Sequence, residues 1–428
     1  MGYLRYEREF DSELLKRPDF DISSIEDKVD QILSYIRKDG DKALIELAAK
    51  FDESDVSESL YASESDFDEA EKLVPQDLKD AILRAHKNIS AFHIAQMPKG
   101  ECVETEAGVL CSRRIVAIDK VGLYVPGGTA PLFSTVLMLA IPAKVAGCKE
   151  IILATPAKFG KISPAVLYTA RVCGVDKVLK VGGAQAIAAL AYGTESVPKV
   201  DKIFGPGNRF VSTAKMKVQS FCAIDMLAGP SEVMVVVDKS ANPLYAAADL
   251  LSQAEHGKDS QVVLAVLASS IEEADSIYNG VEEALSSELE KLGRKEFMLP
   301  SLSHSVAFAF TDKDALLDAV NLYGPEHLII NTLNDEEILD GVRNAGSVFM
   351  GPYSPESAGD YASGTNHTLP TSGWASSSSG VSLDSFIKKI TVQRLTKKGI
   401  ENLASTVIKM AEAEGLTAHA EAARVRVL

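Results

Sequence analysis

The fold class is decided by residues 151–193, IILATPAKFGKISPAVLYTARVCGVDKVLKVGGAQAIAALAYG, which hold two successive strand–helix units. The apolar runs at 151–155 and 177–181 predict strands, and the segments at 163–173 and 184–192 that follow them have helical spacing. Each apolar run is continuous rather than alternating, as strands buried on both faces require. Repeated units of this kind predict parallel strands joined by crossover helices.

The same order of elements continues toward the C-terminus. Three more units follow, with strands at 202–205, 233–237 and 261–267 and helices at 208–219, 243–254 and 271–287. HLII (327–330) and SVFM (347–350) predict two further strands. A chain of 428 residues is too long for one hydrophobic core. We therefore predict an α/β fold in which these strand–helix repeats form two larger α/β units, with a small terminal piece in addition.

Helices precede and follow these units. Ser23 and Glu26 have the spacing of a capping box at the start of a helix, and Gly40 predicts its end. Residues 61–95 are again typical of helix, whereas TSGWASSSSG (371–380) predicts a loop. A last amphipathic helix carries its apolar stripe on Ile400, Leu403, Val407 and Ala411.

Composition excludes several classes of protein. The 44 basic and 60 acidic residues leave a formal charge of −16, which argues against a nucleic-acid partner because phosphate binding needs clustered cations. The first twenty residues are charged throughout, unlike a secretory signal, and no apolar stretch approaches the roughly 20 residues that span a bilayer. Five cysteines without paired spacing predict reduced thiols, so we expect a cytoplasmic protein with no membrane partner.

Four of the seven histidines fall in short polar segments: QAEH (253–256), GPEH (324–327), AGDYASGTNH (358–367) and LTAH (416–419). Each of these histidines has a carboxylate, an amide or a turn residue nearby. Histidines scattered through a core would not be expected to have such neighbours. The pattern indicates an enzyme with a composite polar site that binds a metal.

The metal hypothesis starts from Gln253 and His256, which are three residues apart near the end of a predicted helix and can face one way. An imidazole nitrogen and an amide oxygen are plausible zinc ligands. The alternative is an ordinary polar helix terminus. Asp360 and His419 could complete the coordination sphere.

Glu326 and His327 are candidates for acid–base chemistry, because histidine titrates near neutral pH. Neighbours on a regular strand point to opposite faces, so one shared site requires a loop conformation, which Gly324-Pro325 could provide. The alternative is a surface glutamate beside a half-buried histidine.

Three glycine-rich turns could bind a dinucleotide: VGGAQAIAALAYG (181–193), GPGN (205–208) and GLYVPGGTAPLFST (122–135), the last with Tyr124. Glycines between a strand and a helix let backbone N–H groups approach a pyrophosphate. The alternative is a set of tight turns. Cys111 and Cys148 flank the third turn, but buried packing is the simpler interpretation of both thiols.

The chain resembles the histidinol dehydrogenase family over nearly its whole length. The resemblance is carried by GPGN, DMLAGPSE (225–232), DLLSQAEHG (249–257), YGPEHL (323–328), SPESAGDYASGTNHTLPT (354–371) and LTAH. It implies the four-electron oxidation of L-histidinol through L-histidinal to L-histidine with two NAD⁺, the last step of histidine biosynthesis.

The resemblance also assigns roles to individual residues. It implies one Zn²⁺ per subunit held by Gln253, His256, Asp360 and His419, with Glu326 and His327 as the catalytic acid–base residues. Substrate contacts implied are Ser231, Gln253, His256, His327, Asp360, His367, Glu414 and His419, and NAD contacts are Tyr124, Gln185 and Asn208.

The implied architecture is two Rossmann-like parallel-sheet domains plus small N- and C-terminal extensions. The expected divisions are an N-terminal extension (1–20), a discontinuous α/β domain (21–123 with 238–375), an NAD-binding domain (124–237) and a C-terminal helical segment (376–428). The last segment is expected to be exchanged in a homodimer, so that Glu414 and His419 enter the partner's site. Three other interpretations stay open: a relative acting on sulfonated diols, a thiolate-dependent aldehyde dehydrogenase, and a non-catalytic zinc-binding assembly protein.

Overall fold

The computed structural model describes residues 2–18, 23–127, 132–226 and 229–428. The strands in these ranges are β1 (Arg5–Glu7), β2 (Cys102–Glu106), β3 (Val109–Ala117), β4 (Lys120–Tyr124), β5 (Glu150–Ala154), β6 (Lys177–Leu179), β7 (Lys202–Phe204), β8 (Ala223–Ile224), β9 (Glu232–Val237), β10 (Gln261–Leu267), β11 (Val306–Phe310), β12 (His327–Asn331), β13 (Ser347–Met350) and β14 (Ile387–Leu395).

The α-helices in the same ranges are α1 (Ser23–Phe51), α2 (Glu64–Leu73), α3 (Gln76–Ala95), α4 (Phe133–Ala146), α5 (Pro164–Val172), α6 (Gly183–Tyr192), α7 (Arg209–Val218), α8 (Pro243–Ala254), α9 (Ile271–Lys291), α10 (Lys295–Ser303), α11 (Lys313–Tyr323), α12 (Asp335–Leu339), α13 (Glu356–Tyr361), α14 (Lys397–Ala413) and α15 (Thr417–Arg424). In these ranges, no helix is both long enough and apolar enough to cross a bilayer.

Two parallel sheets form the framework and confirm the predicted α/β class. The six-stranded sheet has the order β1-β11-β10-β9-β12-β13, and the five-stranded sheet has the order β6-β5-β4-β7-β8. In the five-stranded sheet, the first strand along the chain, β4, lies between β5 and β7, so the crossovers run in opposite directions on its two sides. A ligand crevice is expected at such a point, outside the carboxyl ends of the strands.

The N-terminal helices pack on the five-stranded sheet. Side chains of α1 share a core with α6 and α7, from Val29 through Ile187 to Val218. Helix α3 contributes Ile82 and Ile89 to the core on the other side of the same sheet. The expected division had grouped these helices with residues 238–375 instead. Amphipathic periodicity shows that a helix is covered on one face but not which sheet covers it.

Sheet membership also shifts the expected boundaries. Strand β4 belongs to the five-stranded sheet and β9 to the six-stranded sheet, whereas divisions at 124 and 238 assign each of them to the other unit. Each expected boundary therefore has to move by one strand to agree with the observed sheets. An apolar run predicts burial in a sheet without indicating the neighbours with which it pairs.

Gly40 interrupts α1, as predicted, with a φ of +50°. The helical stretch predicted over 61–95 divides into α2 and α3, and Pro75 is the N-cap of α3. The sequence pattern assigned no element to residues 295–323. In the structure this range supplies α10, β11 and α11, and β11 pairs with both β10 and the N-terminal strand β1.

A third, antiparallel sheet was not predicted. It has the order β14-β3-β2, and β14 pairs with β3 along nine residues, from Ile387 opposite Ala117 to Leu395 opposite Val109. The segment 376–428, predicted to be helical, therefore also contains a strand. Strand β2 is exposed along its whole length, so it lacks the apolar run on which strand prediction depends.

The C-terminal elements are poorly covered within one chain. Beyond its first residue, β14 is almost entirely exposed. Apolar side chains stand in solvent on β14 and on the two helices after it: Ile390, Val392, Met410, Leu416 and Val425. A surface of this kind is typical of a region that packs against another chain.

Candidate active site

The polar residues singled out from the sequence gather at the amino edge of the six-stranded sheet. His327 is the first residue of β12 and Glu232 the first residue of β9, and these strands are paired in parallel. Helix α8 ends nearby, with Gln253 in its last turn. The two strand starts and the helix end therefore bring side chains from distant parts of the chain together.

Glu326 and His327 both face this site. Glu326 Oε2 lies 3.6 Å from His327 Nδ1. The backbone of Glu232 contacts both residues, since its N–H donates to Glu326 Oε2 at 2.9 Å and its carbonyl oxygen lies 3.3 Å from His327 Nδ1. Gly324 ends α11 in the left-handed region, which gives the irregular entry to the strand that two facing neighbours require. Both side chains are buried, which excludes the alternative of a surface glutamate.

Asp360 connects His327 to the other histidines. His327 Nε2 lies 3.5 Å from Asp360 Oδ1, which is close enough for an ion pair. This nitrogen is buried and has no hydrogen-bond partner among the described residues, so it is directed into the cluster. His367 Nδ1 lies 2.9 Å from the carbonyl oxygen of Asp360, and His367 Nε2 lies 3.2 Å from Thr135 Oγ1 on α4. Thr135 thereby links this site to the domain of the five-stranded sheet.

The donor atoms suited to a metal belong to His256, Glu356 and Asp360, all within 4.8 Å of one another. One imidazole and two carboxylates are a donor set that zinc accepts. Two of these residues were predicted as ligands. Glu356 was not, although Glu356 and Asp360 are four residues apart on α13, a spacing that puts both carboxylates on one face and could have identified it.

Gln253 lies against the same carboxylate. In the amide orientation that satisfies both of its polar atoms, the Gln253 nitrogen donates to Glu356 at 3.0 and 3.2 Å and the oxygen accepts from the Glu232 N–H at 2.8 Å, whereas the opposite orientation puts the oxygen beside Glu356. Ser252 also donates to Glu356, at 2.6 Å. A ligand role for the Gln253 oxygen therefore requires its amide to turn toward Glu356, where the metal donors are.

The predicted residues from the C-terminus do not join the cluster within one chain. Glu414 caps α14 and His419 lies in α15, and both are exposed. Ser231 precedes Glu232 and lines a small pocket together with Arg17. The structure thus brings together Gln253, His256, Glu326, His327, Asp360 and His367.

Burial and charge alter the acid–base properties of the cluster. Burial raises the pKa of Glu326 and of Glu356 to about 8. Burial alone would lower the pKa of His327, but the nearby carboxylates of Glu326, Asp360 and Glu356 outweigh it and raise that pKa. Both carboxyl groups and the imidazole therefore hold protons more tightly than they would in water, which suits a buried group that transfers protons near neutral pH.

A cleft of about 550 Å³ opens at the carboxyl edge of the five-stranded sheet. Tyr124, Gln185 and Asn208, the three residues predicted to contact NAD, all line it. Tyr124 is the last residue of β4, Gln185 lies in the first turn of α6 after β6, and Asn208 is the N-cap of α7 after β7. The Tyr124 hydroxyl accepts a hydrogen bond from the Gly183 N–H at 3.1 Å, which fixes the ring at the cleft wall. Of the third glycine-rich turn, residues 128–131 lie outside the described residues.

Comparisons with known proteins agree along the whole chain. A family model described as histidinol dehydrogenase matches residues 15–427. The chain is 52% identical to a histidinol dehydrogenase of Bacteroides fragilis, over 97% of this chain and 96% of that protein. It is 50% identical to the chloroplastic histidinol dehydrogenase of Arabidopsis thaliana, over 97% of this chain and 88% of that one.

A solved structure gives the same result. The crystal structure of histidinol dehydrogenase from Elizabethkingia anophelis superimposes with a TM-score of 0.96 at 46% identity, covering 100% of this chain and 98% of that chain. The shared sequence and fold therefore extend over both sheets and the C-terminal elements. The chain is an oxidoreductase that belongs to the histidinol dehydrogenase family.

Proposed function

We propose that the protein is an NAD-dependent, zinc-containing L-histidinol dehydrogenase. It oxidises L-histidinol through L-histidinal to L-histidine with two NAD⁺, a four-electron reaction that completes histidine biosynthesis. The observation that carries the proposal is the buried Glu326–His327 pair beside the donor atoms of His256, Glu356 and Asp360. Thr135 connects this cluster to the helix that follows the cleft-lining strand β4.

The metal would be held by Gln253, His256 and Asp360, with His419 supplied by a second copy of the chain. Glu356 is close enough to take part or to orient Gln253. When bound, the zinc orients the imidazole and amino group of the substrate and offsets the carboxylate charge that raises the pKa of His327. The acidic surroundings favour a substrate with a cationic amino group over a sulfonated diol.

The proton transfers are assigned to two neighbouring residues. His327 removes the hydroxyl proton of histidinol as a hydride moves from the carbon that bears this hydroxyl to the nicotinamide. Glu326 then takes a proton from a water that adds to the aldehyde, while His327 returns its proton to the aldehyde oxygen, which gives the hydrate. His327, neutral again, takes a proton from the hydrate as the second hydride departs, which gives the carboxylic acid, and this acid ionises to the carboxylate product. Keeping the aldehyde bound lets one site perform both oxidations.

We also propose a homodimer whose sites contain residues of both copies. Two observations support it: Glu414 and His419 are exposed and do not belong to the group of metal-donor atoms in their own chain, and the elements that carry them expose apolar side chains. Exchange of the C-terminal segment between two copies would cover these exposed apolar side chains and, at the same time, complete the metal site.

The thiolate alternative is not favoured by the structure. Cys148 is buried, and burial raises its pKa to about 12, which suppresses the thiolate. Cys111 lies in β3 of the antiparallel sheet, opposite Gln393. All five cysteines are free thiols, which supports the expected cytoplasmic location.

The proposal is tested by NADH formation from L-histidinol before and after removal of metal with a chelator. We expect activity that is lost on chelation and restored by Zn²⁺, and no activity with a sulfonated diol. Full activity in protein shown by elemental analysis to be metal-free would refute the zinc assignment. Zinc-containing dimer that reduces no NAD⁺ would instead support the non-catalytic alternative.

A further inference from the structure

We propose that Asp52 makes the cofactor site selective for NAD⁺ over its 2′-phosphorylated form, by accepting hydrogen bonds from the adenosine ribose. The inference rests on the proposed function, because it concerns the cofactor of that reaction. It adds a residue outside the glycine-rich turns, contributed by the segment that follows α1.

Asp52 is positioned at the wall of the cleft. It follows the last residue of α1 and lines the cleft together with Phe51 and Glu53. One carboxylate oxygen, Oδ2, accepts from the Gly182 N–H at 3.0 Å and from Gln185 Nε2 at 3.4 Å. The other oxygen accepts no hydrogen bond from the described residues, so it is available to a ligand. Burial raises the pKa of Asp52, and the two N–H donors oppose that shift.

The side of the sheet on which Asp52 lies corresponds to the adenosine half of a dinucleotide site. Its partners Gly182 and Gln185 follow β6, and the neighbouring wall is formed by Pro156 and Ala157 after β5. In dinucleotide-binding folds an acidic residue in this half accepts from the ribose 2′-hydroxyl. Residues 155–158, which follow β5 here, are Thr-Pro-Ala-Lys and contain no carboxylate. Asp52 can fill that role from outside the sheet.

Charge at this wall disfavours a phosphate. The amino end of α6 would otherwise attract an anion, but the Asp52 carboxylate already occupies its Gly182 N–H. Glu53 adds an exposed carboxylate beside it. Lys158 is the cation lining the same cleft, and it could bind a phosphate once the acidic wall was neutralised. Neutralising Asp52 should therefore both weaken NAD⁺ binding and relieve the discrimination against NADP⁺.

The test compares kcat/KM for NAD⁺ and NADP⁺, with saturating L-histidinol, in the parent and in Asp52→Asn. We expect the efficiency with NAD⁺ to fall by about tenfold and the NADP⁺-to-NAD⁺ ratio to rise by at least about tenfold, because a charged hydrogen bond and a repulsion are both lost. Asp52→Glu should keep the preference for NAD⁺. Asp55→Asn is the matched control, since Asp55 is exposed in the same segment and, among the described residues, its carboxylate accepts hydrogen bonds from Ser57.

Binding measurements separate this inference from the proposed function. The role of Asp52 alone would be overturned by two results together. The parent protein binds NAD⁺ in calorimetry, and a folded Asp52→Asn protein has the same ratio of kcat/KM for NADP⁺ to kcat/KM for NAD⁺ as the parent. A parent protein that binds no NAD⁺ would overturn both. A second test uses the parent protein alone. Adenosine 5′-monophosphate should inhibit at least about tenfold better than adenosine 2′,5′-bisphosphate, which differs from it by the 2′-phosphate, and equal inhibition would contradict the inference.

Discussion

Single residues in the cluster derive their properties from burial beside opposite charge. Glu326 is buried with its carboxylate held by a backbone N–H, and it neighbours an imidazole whose pKa the surrounding carboxylates raise. Two adjacent residues can then exchange protons with a substrate without either being exposed to bulk water. The division of labour between them is open to direct measurement.

Glu326→Gln should impair aldehyde oxidation more than alcohol oxidation, because only the second half-reaction needs an activated water. We expect a loss of about 10²-fold or more with L-histidinal and a smaller loss with L-histidinol in single-turnover assays. Glu336→Gln, at an exposed position of α12, is the control and should behave as the parent. Equal losses in both half-reactions would count against water activation by Glu326.

Asp249 is expected to limit stability above neutral pH. Burial raises its pKa from 3.8 to about 7, so the folded protein binds this proton more tightly than the unfolded chain does. The contribution of the group to stability is therefore fully present below pH 4 and is lost as the pH rises to about 7. Asp249→Asn should raise the free energy of unfolding at pH 8 by up to about 4 kcal/mol.

The measurement is denaturant unfolding at pH 8 and at pH 5, where the gain should be smaller. Asp340→Asn, at an exposed helix end, serves as the control for a lost surface charge. If Asp249→Asn does not raise the free energy of unfolding at pH 8, the Asp249 carboxylate has a partner or a lower pKa than its surroundings indicate.

At the scale of single elements, a buried ion pair fixes the GPGN turn. Lys215 on α7 donates to the Gly205 carbonyl at 2.8 Å and pairs with Asp225, while Asp225 accepts from the Gly205 N–H at 2.7 Å. The turn leads directly to Asn208, the N-cap of α7 and a wall of the cleft. The pair thus supports the turn that brings Asn208 to the wall of the cleft.

Lys215→Met should destabilise the protein by about 3–5 kcal/mol, because it leaves the Asp225 carboxylate buried without a cation. The double replacement Lys215→Met/Asp225→Leu should recover a large part of that loss in denaturant unfolding. Lys199→Met, a replacement of a lysine outside this pair, is the control. Equal stability of the single and double variants would contradict the pairing.

The elements that could be predicted from sequence are those with an uninterrupted apolar run. The strands predicted at 261–267 and 347–350 coincide with β10, which is buried in the six-stranded parallel sheet, and with β13, an edge strand of that sheet that buries Phe349. Strand β14 could not be found this way, since its side chains are almost all exposed and it pairs with β3 from some 280 residues away. Glu356 was identifiable only from its spacing to Asp360 on a six-residue helix.

At the scale of the whole molecule, the convergence of the site depends on topology. Spacing alone could pair Gln253 with His256, but only the parallel pairing of β9 with β12 brings them to Glu326 and His327. The assignment of His419 came from the family resemblance, and within one chain the structure leaves it outside the cluster. In the proposed homodimer a second chain would supply His419, and the sequence pattern by itself does not indicate this.

Shared sites can be tested by mixing two inactive proteins. A His327→Asn chain and a His419→Ala chain, refolded together in equal amounts, should form mixed dimers in which one of the two sites is intact. Activity should recover to about a quarter of the parent value, as random pairing predicts for a two-fold symmetric dimer. Each variant refolded alone is the control, and a mixture with no recovery would contradict sites built from two chains.

The central claim is that one buried cluster performs both oxidations on a retained aldehyde. It is tested most directly by counting NADH formed from a limiting, known amount of L-histidinol, with a trapping reagent for free aldehyde present. We expect two NADH for each histidinol and no trapped aldehyde. One NADH for each histidinol, with L-histidinal recovered in the trap, would contradict it.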